Sequence, residues 1–340
     1  MAAKVLSLEE AVSTYMHDGI TMACGGFTGF VRDPVAFTWE AVRQGFKDIH
    51  YLGGHPGVHT FLLNAAKRIK YMEHCWMGYG ELFGKLDMNA VRQYENGEQI
   101  FEDYSHAQVA FRQLAGAIGV PFIATYDVLG SDIENPNYDA FKRAGLRDGS
   151  NPRIAKEKML VMDDPFYGKG KVILVPASNP ELAVIHATTV GDMGTVRIRG
   201  VASGDKELAF SADKVVVTCE EIVREEELRR DPEHNLIPFI KVDAIVEIPY
   251  GAYPSSVPYH YDYDGPFIAD TDKAQRSDEL MNKWLEDWVY GPENWKAFLD
   301  KVGASRLISL KANTTTGYST NHLRGKKPAP LMTKPVCWKR

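Results

Sequence analysis

Residues 19–54 read GITMACGGFTGFVRDPVAFTWEAVRQGFKDIHYLGG, and their pattern decides the fold class. The run Gly19–Cys24 is apolar without alternation and ends in the pair Gly25-Gly26. Such a run fits a short strand buried on both faces, as parallel strands are. Pro34 then opens a helical stretch that Gly45 closes, matching the preference for proline in the first turn and glycine just past the end. Asp48–Leu52 is a second strand-like run, and it too ends in paired glycines, Gly53-Gly54. Strand, helix, strand in so few residues is a right-handed crossover unit.

The same alternation extends outward in both directions. Ser7 followed by Glu10 is a capping box ahead of Leu8, Ala11 and Val12. Helical patterns occupy Thr60–Lys70 and Ser105–Gly119, the latter carrying Val109, Phe111 and Leu114. Short apolar runs lie at Val120–Thr125, Lys171–Pro176, Leu182–Ala187, Lys214–Cys219 and Val242–Pro249. The expected fold is α/β: a layered α/β/α domain with an open, mostly parallel sheet. The polar stretch Ser131–Asp164 reads as an excursion from the core. Residues 1–322 are expected to form one domain. Residues 323–340, rich in proline and basic side chains, are expected to form an extended tail.

Composition removes several classes of function. The chain has 340 residues, 44% of them hydrophobic and 25% charged, with a formal net charge of -6. No basic face is announced, so nucleic acid is not the expected partner. Cys24, Cys75, Cys219 and Cys337 lack zinc-ligand spacing, and no metal is expected. No apolar run is long enough to span a bilayer, and Met1–Glu10 does not read as a signal peptide. The expected setting is the cytoplasm, away from membranes.

Chemistry is expected beyond the carboxyl ends of the strands, where an open sheet binds its ligands. Glycines stand at three such points: Gly25 to Gly29, Gly53 to Gly57, and Gly78 to Gly80. Singly, each could be no more than a tight turn. Together they point to a pocket lined by backbone N–H groups, suited to a carbonyl oxygen that gains negative charge. Neither the dinucleotide nor the P-loop glycine spacing is present. Phe101–His106 reads either as acidic capping of the following helix or as a source of one functional side chain, Glu102 or His106. His186 lies in a strand-like run, where a hydrogen-bonded core histidine is the commoner outcome, and Gly191–Gly194 reads as a turn.

Four segments, GGFTGFVRDPVAF at Gly25–Phe37, FEDYS at Phe101–Ser105, AVIHATTVGDMGTVRIRG at Ala183–Gly200, and VVTCEEIVREEELRRDPEHNLIPFIKVDAIVEIPYGAYPSSVPYHYDYDGPF at Val216–Phe267, carry a resemblance. In this order they resemble the A (α) subunits of family I CoA-transferases of the glutaconate type. The resemblance implies a B subunit of the same fold, joined as a heterodimer or higher oligomer, and a site shared between the two chains. It implies acyl-CoA esters and small carboxylic acids as substrates, and no permanently bound cofactor. Catalysis in the family runs through a glutamate of the B subunit, by way of an acyl anhydride and a glutamyl-CoA thioester. Tyr94-Glu95-Asn96-Gly97 looks like the motif that carries it. Glu95, however, falls at a helix end and turn ahead of FEDYS, where A subunits carry no nucleophile.

From this chain the resemblance implies substrate contacts from Gly25, Gly26, Phe27, Thr28, Gly29 and Arg32. It implies others from Gly53, Gly54 and His55, from Tyr79 and Gly80 in the wall Cys75–Gly80, and from Gly130 and Ser131. Glu102 is its candidate catalytic residue, because hydrolytic relatives that lack the partner's glutamate place an acid near FEDYS. The stretch Trp76–Gln93 departs from the glutaconate pattern. Lys85 and Arg92 are its obvious cations, while Trp76, Tyr79 and Phe83 favour a larger or more apolar acyl group. The expected activity is therefore CoA transfer. The alternatives are a CoA-ester hydrolase, ring-cleaving or decarboxylating enzyme using Glu102, and a non-catalytic acyl-CoA-binding protein.

Overall fold

The computed structural model describes residues 3–53, 56–79 and 85–319. Its centre is a parallel array of β1 (Lys4–Val5), β2 (Thr21–Cys24), β3 (Ile49–Leu52), β4 (Ile69–His74), β7 (Ile100–Asp103), β11 (Leu182–Gly191), β13 (Lys214–Val223) and β15 (Ala244–Glu247). The spatial order is β1-β15-β13-β11-β2-β3-β4-β7. Starting at β2 the chain steps outward through β3, β4 and β7. It then returns to the other side of β2 as β11 and steps the opposite way through β13 and β15. The reversal between β2 and β11 is a topological switch point, where crossovers diverge and leave a crevice.

Helices cover both faces. On one, α1 (Leu8–Tyr15), α2 (Val35–Gln44) and α3 (Val58–Ala65) join α9 (Gly265–Ala274), α10 (Asp278–Leu285) and α11 (Trp295–Val302). Their buried Trp39, Phe61, Phe267 and Trp295 pack on Met22, Tyr51, Val184 and Val216 of the sheet. On the other face lie α5 (His106–Ile118) and α7 (Asp205–Ser211), with Leu208 and Ala209 against Ala23, Leu52, Ile185 and Val217. The short helices α8 (Glu225–Arg229) and α12 (Ala304–Ser309) follow β13 and α11. The all-apolar runs of the sequence are thus strands with both faces covered: β2 and the ten residues of β11 are buried throughout. The capping box at Ser7 and Glu10 forms, and Gly45 ends α2 at φ +86°.

Two expectations need correction. The helix read as Thr60–Lys70 stops at Ala65, and Ile69–His74 is strand β4. The acids of FEDYS lie on strand β7 rather than in a loop, with Glu102 paired in register with Glu73 of β4. Both strands carry charged residues that a sequence pattern assigns to solvent. A second correction concerns the runs near residues 122 and 171. They are β8 (Phe122–Thr125) and β10 (Lys171–Pro176), which join β9 (Leu160–Asp163) in a separate antiparallel sheet. Between β8 and β9 runs the expected polar excursion, including the short α6 (Ala140–Arg143). Elsewhere, β12 (Val196–Arg197) and β14 (Asn235–Ile237) extend the main sheet antiparallel to β11, and β5 (Gly78–Tyr79) pairs with β6 (Lys85–Leu86) after β4. The proposed tail, residues 323–340, lies outside the described residues.

Candidate active site

A cleft of about 240 Å³ opens at the switch point. Its walls are the Gly25-Gly26 turn after β2, the first two turns of α5, and the Ser203–Leu208 segment that begins α7. His106, at the exposed start of α5, lines it together with Gln113, Ser203 and Asp205. Of the two side chains that FEDYSH offers, His106 is the one that reaches the cleft. Val109, Ala110 and Leu208 give the cleft an apolar side.

The glycines are required by contact. A Cβ on Gly25 would lie 2.3 Å from Asp205 Oδ1, and Gly26 holds φ +115°. At the tip of the loop, Thr28 (φ +55°) and Gly29 (φ +71°) turn the chain back, and Phe27 pairs with Val31. The Gly25 N–H donates to Val184 O, the Gly26 N–H to Asp205 Oδ1 and the Phe27 N–H to Val31 O. The N–H groups of Thr28 and Gly29 make no hydrogen bond among the described residues. Gly29 touches the turn before α3, where a Cβ on Gly57 would come within 2.9 Å of Gly29 Cα. The first two glycine clusters therefore meet. Asp33 fastens them, its Oδ2 accepting from the Val58 N–H at the start of α3 (2.9 Å) and from Ser255 Oγ (3.1 Å).

Arg32 does not reach the cleft as a free cation. Its side chain is fully buried, donating to Asp205 Oδ2 (2.8 Å), Val201 O (2.7 Å) and His186 O (3.3 Å). Glu102 is likewise fully buried. Its carboxylate accepts from the Phe141 N–H at 2.9 Å and from Arg147 at 3.2 Å, and it pairs with Lys158 Nζ at 2.8 Å. Arg147 also binds both oxygens of Asp139. Burial raises the Glu102 pKa, with the Lys158 charge opposing it. Next to it, burial works against the charge of Glu73, but Arg112 at 2.6 Å and His50 at 2.8 Å outweigh it and bring the carboxyl down to about 2. A continuous buried ion network thus joins the sheet edge, α5 and the excursion. Sequence reading missed it, since Arg112, Arg147 and Lys158 are ordinary surface residues by type.

The other candidates are placed as follows. Gly54, His55 and Gly80 lie outside the described residues, as do Phe83 and the side chains of Tyr79 and Lys85. Gly53 ends β3 at the correct edge, packed against His74 and Tyr51. Gly130 and Ser131 are exposed in the turn that follows β8, where Ser131 Oγ donates to Val128 O. Asp127, just ahead of them, accepts a hydrogen bond from Ser105 at the N-terminus of α5, which ties this segment to the helix that carries His106. His186 is the core histidine expected of it, bonded to Thr218 (2.8 Å) and Glu220 (2.9 Å). Glu95 ends α4 (Met88–Glu95), exposed, in the connection entering β7. That connection lies at the amino edge of the sheet, opposite the cleft.

The sequence matches the coenzyme A transferase family over residues 5–248. This chain belongs to the coenzyme A transferase family. It is 35% identical to the A subunit of glutaconate CoA-transferase from Acidaminococcus fermentans, over 93% of this chain and 97% of that one. The crystal structure of that enzyme matches with a TM-score of 0.86, covering 93% of this chain and 98% of that chain. The A subunit of 3-oxoadipate CoA-transferase from Pseudomonas knackmussii is 29% identical over 89% of this chain and 100% of that one. The decarboxylase AibA/AibB matches with a TM-score of 0.67 at 25% identity, over 84% of this chain. The CoA-transferase relatives are named as one subunit of two, which fits a cleft walled by backbone and by neutralised side chains. Among the described residues, no helix of this CoA-transferase chain is long and apolar enough to cross a membrane.

Proposed function

We propose that this chain is the A subunit of a two-chain enzyme that moves CoA from an acyl-CoA to a carboxylic acid, the attacking glutamate coming from the B subunit. One observation carries the reading: the described cleft lining offers no side chain ready to attack a thioester. Asp205, its one carboxylate, is fully buried against Arg32. Cys24 is buried, and loss of water raises its thiol pKa far above the range in which a thiolate forms. The nucleophile must then enter from outside this chain.

In this reading the partner's carboxylate adds to the thioester carbonyl and CoA leaves as thiolate, giving an acyl anhydride. The thiolate next attacks the glutamyl side of the anhydride, which releases the free acid and leaves a glutamyl-CoA thioester. An acceptor acid reverses both steps and departs as its CoA ester. Each addition places negative charge on a carbonyl oxygen. The unengaged N–H groups of Thr28 and Gly29 are the donors this chain offers to it. Glu102, held by Lys158 and Arg147, organises the excursion and does not touch substrate. The apolar wall of Val109, Ala110 and Leu208 favours an acyl group less polar than glutaconate.

The test uses the two chains purified separately and then combined, with an acyl-CoA donor and a panel of acids. The expected result is a new acyl-CoA formed without net release of free CoA thiol, and only when both chains are present. Release of CoA thiol with no new thioester would replace transfer by hydrolysis. Full activity from this chain alone would overturn the shared site.

A further inference from the structure

We infer that Asp205 is a positioning residue for the reaction: with Arg32 as its counter-charge, it locks the glycine loop against the opposite wall of the cleft and so sets where the loop tip presents its N–H groups. The inference rests on the proposed CoA chemistry only for which rate is measured. Its basis is geometric. Asp205 opens α7 on one wall, and Gly25-Gly26 follows β2 on the other. One carboxylate oxygen takes the Gly26 N–H at 3.0 Å and the other takes Arg32 at 2.8 Å. Both side chains of the pair are fully buried.

The clamp is built from both sides. Gly25 leaves no room for a side chain beside Asp205 Oδ1. Arg32 sits at φ +59°, a conformation that a non-glycine residue adopts only when its surroundings hold it there. Its guanidinium reaches two further carbonyls, Val201 O ahead of α7 and His186 O in β11. Residues 25–32 are therefore fixed at both ends by one ion pair, and the free loop tip, Thr28 and Gly29, lies between the two fixed points. Because the Gly26 N–H is spent on Asp205, it is a structural bond and is not a donor to substrate. Catalytic donors work only when held within about 0.5 Å of the productive position, so loosening this anchor penalises the transition state more than ground-state binding.

The test is Asp205→Asn in the two-chain complex. Asparagine keeps the shape but offers one acceptor where two donors, the Gly26 N–H and Arg32, need one each. Two readouts are taken: hydrogen exchange of the peptide spanning residues 19–34, and kcat and KM for the acyl-CoA. The expected result is faster exchange confined to that peptide, and kcat lower by about 10- to 100-fold with KM within about 3-fold of wild type. Arg32→Lys, which keeps the charge but loses the planar fork, should show the same pattern more weakly. Wild-type exchange at residues 19–34 with unchanged kcat would overturn the inference. So would exchange that rises across the whole chain, which marks a merely structural pair. If the wild-type complex hydrolyses acyl-CoA instead of transferring CoA, the proposed function fails, and the Asp205 effect is read on the hydrolysis rate.

Discussion

Replacing Glu73 by glutamine probes the buried ion network most cleanly, because the network predicts both the size and the pH dependence of the effect. The Glu73 side chain is 2% exposed, with Arg112 at 2.6 Å and His50 at 2.8 Å. Burial opposes its charge, Arg112 and His50 outweigh burial, and the carboxyl falls from the usual 4.5 to about 2. At about 1.4 kcal/mol per pH unit, that drop corresponds to about 3 kcal/mol of folding stability. The folded-state value is depressed, so the contribution is complete above about pH 4.5 and is lost as pH falls toward about 2. Glutamine imitates the protonated acid and leaves Arg112 without its anion. Glu73→Gln should therefore cost about 3 kcal/mol near neutral pH, and the deficit should shrink as pH falls through about 4 toward 2. Urea unfolding followed by tryptophan fluorescence, at a series of pH values, measures both. A deficit that stays constant from neutral pH to about pH 3 would refute the claim that Arg112 and His50 hold this carboxylate ionised.

Glu102→Ala should destabilise the chain by about 3–5 kcal/mol, since it leaves Lys158 and Arg147 buried without their shared anion. Adding Lys158→Met should restore part of that loss in urea unfolding, and simple additivity of the two changes would show that the pair is not coupled. In folded Glu102→Gln complex, kcat should stay within about 10-fold of wild type; a collapse beyond about 1000-fold without unfolding would return Glu102 to the reaction itself. Gly25→Ala drives a methyl group into Asp205 and should lower kcat by at least about 10-fold. Gly97→Ala, at φ +72° with open space around it, should cost only about 1 kcal/mol in thermal unfolding and leave kcat unchanged. The apolar wall of the cleft should favour an uncharged acyl chain over a dicarboxylic one by about 10-fold or more in kcat/KM, and a preference for glutaconate would contradict that assignment.

The parallel sheet was legible because its central strands are apolar runs with glycine at their ends. Gly25-Gly26 and Gly53 mark the carboxyl edge, where the cleft lies. The edge strands β4 and β7 were not legible as strands, because Lys70, Glu73 and Glu102 break the apolar pattern. Their charges are tolerable only through Arg112, Arg147 and Lys158, which come from a helix and an excursion distant in sequence. Arg32 misled for a similar reason. An arginine beside a glycine loop reads as an anion binder, and its actual partner, Asp205, lies 173 residues away. His106 and Glu102 could not be separated by sequence, since four positions along a strand-to-helix junction carry one into the cleft and the other into the interior.

The central claim, that this chain shapes a site whose nucleophile lies on another chain, is tested most directly by locating the covalent intermediate. The complex is mixed with an acyl-CoA in the absence of acceptor, quenched in acid and separated into its chains for intact-mass and peptide analysis. The account predicts that the CoA thioester is found on a glutamate of the partner chain and that this chain keeps its unmodified mass. A CoA adduct on any residue of this chain, Glu95 and Glu102 included, would contradict it.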